Sequence, residues 1–341
     1  MTRPAPSVPP ALRSAPAGAK ITGTGMAVPS RLVTNADIQS LVDTTDEWIV
    51  QRTGIRQRYR CENGERCSDL ATTAVAGALE RAALGPRDLD LVISATLTPD
   101  MITPTTACQV VANLGAVPCG AIEMNLACTG FVAALNAAVG FVRSGLYRNV
   151  AVVGAERLSS IVNWEDRRTC ILFGDGAGAA IVSPSDDPLQ GCVYQTIHSD
   201  GTKAKDLYAP RTEADILDPD AFNGKLNTLQ MNGREVFKFA VATLEKYLSQ
   251  AMEVCGLTTR DVAMVIPHQS NARIIESARE RLGLSQEQVY VNIDRYGNTS
   301  AASVGICLHE LMTAGRLRRG DTVIFIGVGA GVTWATSVWR L

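Results

Sequence analysis

The sequence predicts an α/β layered fold made of two similar halves, and three observations predict it. Residues 89–95 (LDLVISA), 150–154 (VAVVG) and 323–327 (VIFIG) are almost wholly apolar, the pattern of strands covered on both faces of a sheet. Stretches with helical spacing of apolar residues alternate with them. The chain also repeats itself. Residues 84–93 (LGPRDLDLVI) match 257–266 (LTTRDVAMVI), and 150–154 match 323–327; 257 − 84 and 323 − 150 both give an offset of 173. Two matches at one offset, in the same order and with a shared Arg-Asp before the strand, point to internal duplication. The first half spans about 20–185 and the second about 190–341.

The elements follow in order. Residues 1–19 are rich in proline and alanine and have no continuous apolar stretch. They read as a flexible N-terminal extension and not as a secretion signal. From Lys20 a short strand runs into a turn at Pro29. Thr34 and Asn35 open a short helix, and Thr45, Asp46 and Glu47 open another, because their side-chain oxygens can accept from the free N–H groups of a first turn. Ser68 is the expected cap of a helix over 69–82, in which Leu70, Ala71, Ala74, Val75, Ala78 and Leu79 share one face. Residues 128–143 (CTGFVAALNAAVGFVR), closed by Gly145, read as a helix that is apolar on nearly all sides and so buried all round. Residues 173–182 form a Gly-rich turn that enters a strand. With no helix following to receive a pyrophosphate, a dinucleotide site is rejected, and the glycines serve tight turns. Residues 199–233, polar and broken by Pro210 and Pro219, read as a long excursion that can cover a pocket.

Composition excludes several function classes. The 341 residues are 46% hydrophobic with a net charge of −2, so no global basic excess points to nucleic acid. No uninterrupted apolar run is long enough to span a membrane. Nine cysteines, an odd number without a C-x-x-C pair, indicate reduced, cytoplasmic usage. Three histidines are too few for a multi-histidine metal centre.

Four features carry chemistry. Cys128 stands in the first turn of the buried helix, near the positive end of its dipole and beside unpaired backbone N–H groups. Both favour the thiolate, which is the nucleophile; the other reading of a buried cysteine is a small core hydrophobe. His268 follows the apolar strand at 265–267, on the side where open α/β sheets present ligand sites. Asn298 sits in a loop of small residues, where a turn former or helix cap is the alternative role. The offset pairs Asn125 with Asn298 and Cys128 with Ala301, so the helices starting at Cys128 and near Ser300 are equivalent, and a pseudo-twofold axis would bring their N-termini together. Gly327 to Gly331, read as following the last long strand, offer a backbone that can approach a ligand and donate N–H groups to an oxyanion.

Together these residues resemble the Cys-His-Asn condensing enzymes of the thiolase superfamily, and more narrowly the β-ketoacyl-acyl carrier protein synthase III family. The motifs are Thr45-Asp46-Glu47-Trp48-Ile49 running to Arg52-Thr53-Gly54-Ile55, and Ala127-Cys128-Thr129-Gly130-Phe131. Phe173 to Gly178, His268-Gln269 with Asn271, and Tyr296 to Ser300 complete them, in the family's order over about 20–341. The resemblance implies a thiolase-like fold of two five-stranded halves in five α-β-α-β-α layers, and a homodimer. It implies a decarboxylative Claisen condensation in fatty acid or polyketide biosynthesis. Cys128 would take an acyl group from acyl-CoA, and a malonyl group on acyl carrier protein would lose CO₂ and attack it. His268 and Asn298 would hold the malonyl thioester oxygen, and the backbone N–H groups of Cys128 and Ala330 would form the oxyanion hole. No metal or redox cofactor is implied; coenzyme A arrives as the substrate thioester. Trp48, Arg52, Arg167, Asn271 and Arg273 would bind coenzyme A.

Three departures from the family pattern suggest a specialised member of polyketide or secondary lipid assembly. Thr103 replaces an aromatic residue that ends the acyl pocket across the dimer. Val328 replaces phenylalanine, and Arg168 replaces glycine beside the coenzyme A mouth. Two rivals stay open at this point: an acyltransferase that uses Cys128 to acylate an alcohol or amine, and a non-catalytic partner subunit.

Overall fold

The computed structural model describes residues 17–341, so most of the expected N-terminal extension, residues 1–16, lies outside the described residues. The main elements in chain order are β1 (Gly18–Ala27), α1 (Asp46–Thr53), α2 (Cys67–Arg81), β2 (Leu91–Ala95), α3 (Thr106–Leu114), β3 (Gly120–Met124), α4 (Gly130–Arg143), β4 (Val150–Glu156), β5 (Gly176–Ser185) and β6 (Gly191–Ser199). They continue with α5 (Gly233–Val254), β7 (Met264–Pro267), α6 (Ala272–Leu282), α7 (Ala302–Thr313), β8 (Thr322–Gly329) and β9 (Thr333–Arg340). Gly18 and Ala19, expected in the flexible extension, already belong to β1, where Ala19 is buried and paired with Pro184.

Nine strands form one sheet in the order β7-β8-β9-β6-β1-β5-β4-β2-β3. The duplication is visible in its register. Leu91 pairs in parallel with Val150, and Met264 in parallel with Val323. Both partners move by the same 173 residues, since 264 − 91 and 323 − 150 agree. β1 begins at Gly18 and β6 at Gly191, again 173 apart. The half-sheets meet at one register point, Ala19 beside Gly191. One asymmetry departs from the expected five strands per half. The second-half counterpart of β3 is reduced to a single bridge between Val265 and Val289.

Alternation along each strand builds the layers, because successive side chains point to opposite faces. Ile93 and Val152 point inward with Ile266, Val323 and Phe325 from the other half, packing on Phe131, Leu135 and Val139 of α4 and on Val304 and Leu308 of α7. Val92, Ala151 and Val153 point outward under α2 and α3. In the second half Val265, Ile324, Ile326 and Val338 point outward under α5 and α6. The result is helices, half-sheet, two central helices, half-sheet, helices. Small residues permit this close stacking: a Cβ on Gly154 of β4 would lie 2.3 Å from the carbonyl oxygen of Ala301 at the start of α7.

Two local expectations change. Ser68 does not cap α2; the helix starts at Cys67, and the N–H groups of Cys67 and Ser68 donate to the Asp100 carboxylate at 2.9 and 3.3 Å. Gly327 and Gly329 are the end of β8, and the turn after them leads into one more strand, β9. The excursion 199–233 folds as short 3-10 turns and a small ladder between Leu207–Tyr208 and Gln230–Met231.

Candidate active site

The turn Ala127–Thr129 carries Cys128 into the centre of the molecule, one 3-10 turn before α4 begins at Gly130. Ala127 takes a left-handed conformation, φ +46°. Its repeat mate, Ser300, does the same at φ +48°, so the tight bend ahead of each central helix is duplicated along with the fold. The cysteine is 8% exposed. Burial pushes its thiol up to about 12, with Ser300 pulling down and Glu156 pushing further up. The helix start was expected to favour the thiolate; burial acts on the thiol in the opposite direction.

β8 packs directly against this turn. A Cβ on Gly329 would lie 2.8 Å from the backbone N of Cys128, and one on Gly327 would lie 3.0 Å from the Cα of Thr129. The turn that follows β8, including Ala330, is tied back to the Cys128 loop through Thr333, whose hydroxyl lies 3.3 Å from the carbonyl oxygens of Leu126 and Ala330.

His268 extends the ladder of β7, its N–H donating to Ile326 O at 2.8 Å, and its ring is held at Nδ1 by Ser303 Oγ at 2.8 Å. Gln269 N donates to the same hydroxyl oxygen at 3.3 Å. Burial lowers the imidazole to about 3, so the ring is neutral at physiological pH. Asn298 is fixed from both sides of its backbone, with Gly174 N donating to its carbonyl and its own N–H donating to Leu172 O. The Gly-rich turn therefore braces the Asn298 loop. Asn298 Oδ1 accepts the Ser300 N–H at 2.9 Å, leaving the amide NH₂ as the donor the side chain can offer.

Cys128, His268, Asn298, Val328 and Gly329 line one pocket of about 320 Å³. Trp48, Arg52 and Asn271 line it as well, and Leu207 and Met231 of the excursion cover it. Arg167 lies over the Trp48 ring at 4.8 Å, with Arg52 over the same ring at 4.6 Å. Arg273 stands over Phe237, a lining residue, at 5.8 Å. Asn271 braces the mouth: Nδ2 donates to Arg52 O, and Oδ1 accepts from Arg273 N at the start of α6. Thr103 is exposed and does not line the pocket of its own protomer.

Three polar residues escaped the sequence reading. Ser303 orients His268. Ser300 is buried beside Asn298, and its hydroxyl makes no hydrogen bond. Glu156 ends β4, fully buried, and accepts from Thr98 Oγ1 at 2.5 Å, Thr96 Oγ1 at 3.2 Å and Leu97 N at 3.2 Å. Its carboxyl is pushed up to about 7 by burial, against those hydrogen bonds. A signal for Glu156 was present. An acid closing an apolar buried strand meets the same condition that singled out His268.

A cysteine thiol, a neutral histidine and an asparagine amide in one apolar pocket suit acyl transfer through a covalent thioester. Comparison with known proteins decides the family. The family model described as 3-oxoacyl-[acyl-carrier-protein (ACP)] synthase III matches residues 122–201, and its C-terminal model matches 252–341. The β-ketoacyl-[acyl-carrier-protein] synthase III of Caldanaerobacter subterraneus subsp. tengcongensis is 49% identical over 321 residues, 94% of this chain and 97% of that protein. The chain belongs to the β-ketoacyl-acyl carrier protein synthase III family. Among solved structures, the synthase III of Aquifex aeolicus VF5 aligns with a TM-score of 0.88 and 42% identity, covering 95% of this chain and all of that one. The priming β-ketosynthase of the R1128 polyketide biosynthetic pathway aligns at 0.89 and 36%, covering 97% and 98%. The synthase III fold is thus thiolase-like, with duplicated halves in five layers. The enzyme is an acyltransferase that performs the family's decarboxylative Claisen condensation, in fatty acid or polyketide biosynthesis.

Proposed function

We propose that Cys128 is the acyl-carrying nucleophile of this condensation, with His268 and Asn298 as the donors that stabilise the malonyl-derived enolate. The observation that carries this is the convergence of these three side chains on one pocket from three separated loops. In the first half-reaction the Cys128 sulfur attacks the acyl-CoA carbonyl, and coenzyme A leaves as its thiol. The backbone N–H groups of Cys128 and Ala330 receive the oxyanion. In the second, a malonyl thioester on acyl carrier protein loses CO₂; its α-carbon attacks the acyl carbon and expels the Cys128 thiolate. Ser303, already accepting from Gln269 N, is placed to give its proton to His268 Nδ1, so Nε2 carries the ring proton and donates. Asn298 donates through its NH₂. Trp48, Arg52, Arg167 and Arg273 recognise coenzyme A by stacking and charge, with Asn271 holding Arg52 and α6 in place. This chemistry asks for no metal or redox cofactor.

In this reading residues 20–185 carry the nucleophile and 190–341 the donors, and the enzyme works as a homodimer in the cytoplasm. Among the described residues no helix is long and apolar enough to cross a membrane. Thr103 and Val328, both small, leave room for a primer longer or bulkier than acetyl. Mass spectrometry after incubation with a panel of acyl-CoA thioesters, paired with CO₂ release from malonyl-acyl carrier protein, tests the reading. The expected result is an adduct on Cys128 and CO₂ release, with medium or branched acyl groups loaded in preference to acetyl. An adduct without CO₂ release means simple acyl transfer, and no adduct means a non-catalytic module. A steady preference for acetyl-CoA removes the specialised-primer reading.

A further inference from the structure

The synthase mechanism above leaves one fully buried acid of the Gly-rich turn, Asp175, without a task. Its carboxylate accepts from Cys61 N at 2.8 Å, Ser159 N at 2.8 Å and Ser159 Oγ at 2.6 Å. All three partners are donors, and a carboxylate can accept from each of them without opposing a proton of its own to any. Cys61 follows the short strand Gln57–Arg60, and Ser159 lies in the 3-10 turn Leu158–Ser160 beyond β4. The same strand holds the turn's backbone: Asp175 N donates to Tyr59 O at 2.9 Å, and Arg58 Nη2 donates to Ile171 O at 2.6 Å. Residues 171–175 are thus clamped at both ends. What they hold is the Asn298 loop. Phe173 bridges in parallel with Asn298, through Asn298 N to Leu172 O at 2.9 Å and Gly174 N to Asn298 O at 3.0 Å. No side chain cushions this contact. A Cβ on Gly174 would lie 2.3 Å from Tyr296 O, and one on Gly297, whose φ is +65°, would lie 2.9 Å from Leu172 O. Two bare backbones packed this closely pass a displacement from one to the other.

We propose that Asp175 is a positioning residue for Asn298: by anchoring residues 171–175 it sets where the Asn298 amide stands, and so serves malonyl decarboxylation and not acyl loading. The amide depends on that anchor. Among the described residues its only side-chain hydrogen bond is from Ser300 N, two residues on, so the NH₂ goes where its own backbone goes. A donor aimed at developing enolate charge works only in register, and a shift of about 1 Å can cost about 10²-fold in rate. The Cys128 turn rests on other supports, β8 and Thr333, so acyl loading does not share this dependence. Asp175 does not line the pocket and touches no substrate.

This inference rests on the reading of Asn298 as an enolate donor, and the test separates the two. Acylation of Cys128 is followed in single turnover by mass spectrometry, with the acyl-CoA that loads the full-length enzyme fastest. CO₂ release from malonyl-acyl carrier protein is then measured on the acyl-enzyme. In Asp175→Asn, whose NH₂ must oppose one of the three donors, CO₂ release falls about 10²-fold while acylation stays within about 2-fold of the wild type. Ser159→Ala keeps the acid and both N–H donors and loses one hydrogen bond; its CO₂ release falls about 10-fold, again with acylation preserved. Added to Asn298→Ala, either substitution changes CO₂ release by no more than about 2-fold, because no amide remains to be placed. A residue that only stabilised the fold would lower both half-reactions together and would multiply the loss in the double variant; either result overturns the proposal. So does wild-type CO₂ release in Asp175→Asn and Ser159→Ala while Asn298→Ala is impaired. If Asp175→Asn does not fold, Ser159→Ala carries the same comparisons. Wild-type CO₂ release in Asn298→Ala itself retires the enolate reading, and the positioning role with it.

Discussion

Gly329 has no room for a side chain, because the Cys128 backbone fills the space where a Cβ would stand. Gly329→Ala should therefore push β8 away from the nucleophile's turn and misalign the N–H groups of Cys128 and Ala330. Where those N–H groups form the proposed oxyanion hole, the expected outcome is a loss of about 10²–10³ in acylation rate, the cost of one oxyanion donor, together with a lowered melting temperature from the backbone clash. Rapid-quench acylation and a thermal melt read the two effects separately. His268 permits a prediction in pH. Its ring is held at about 3, below the ordinary 6.5, by burial. As pH falls between those values the unfolded chain takes up a proton that the folded chain refuses. This contribution to stability is therefore complete above 6.5 and lost toward 3. Glu156 runs the other way. Raised from 4.5 to about 7, it contributes below 4.5 and loses that contribution as pH rises through 7. Urea unfolding at pH 7 and pH 4 should show His268→Gln losing less stability than the wild type on acidification, by about 3 kcal/mol.

At the scale of elements, the start of α2 shows where local sequence stops being informative. Ser68 has the chemistry of a cap and sits at the right place before an amphipathic run, but Asp100, thirty-odd residues away, takes the N–H groups of the first turn. Asp100→Ala should destabilise the protein by about 1–2 kcal/mol, as loss of a helix cap does, while Ser68→Ala should cost much less. Chemical denaturation of the two variants compares them directly. The same division runs through the site. Cys128, His268 and the strands around them were legible because apolar runs and a 173-residue repeat are properties of neighbouring residues. Ser303 and Glu156 were not singled out, because each acquires its partner from another segment. A helix start can be seen in sequence, whereas the depth of burial that opposes its effect on the thiol is a property of the assembled layers.

The whole molecule ends on an open edge. β3 is the last strand of the nine-stranded sheet, with one side paired to β2 and the other to nothing among the described residues. Ile122 on β3 is 37% exposed, and Ile102 in the loop before α3 is 84% exposed. An apolar, unpaired edge of this kind invites pairing with a second chain. A second copy placed there would continue the sheet and bury both isoleucines. The expected outcome in analytical ultracentrifugation is a dimer of the 36.3 kDa chain. Ile122→Lys puts a charge on the edge, a device that blocks strand pairing, and should shift the equilibrium toward monomer. Thr103 gives the dimer a functional consequence. It belongs to the same loop as Ile102 and does not line its own pocket. In a homodimer built on this edge, that loop is the segment available to close the acyl pocket of the neighbouring protomer. Monomeric Ile122→Lys should then lose its preference among primers, loading short and long acyl-CoA at similar rates, while Cys128 remains open to alkylation. If the monomer kept the wild-type primer ranking, the acyl pocket would be complete within one chain, and Thr103 would have no part in choosing the primer.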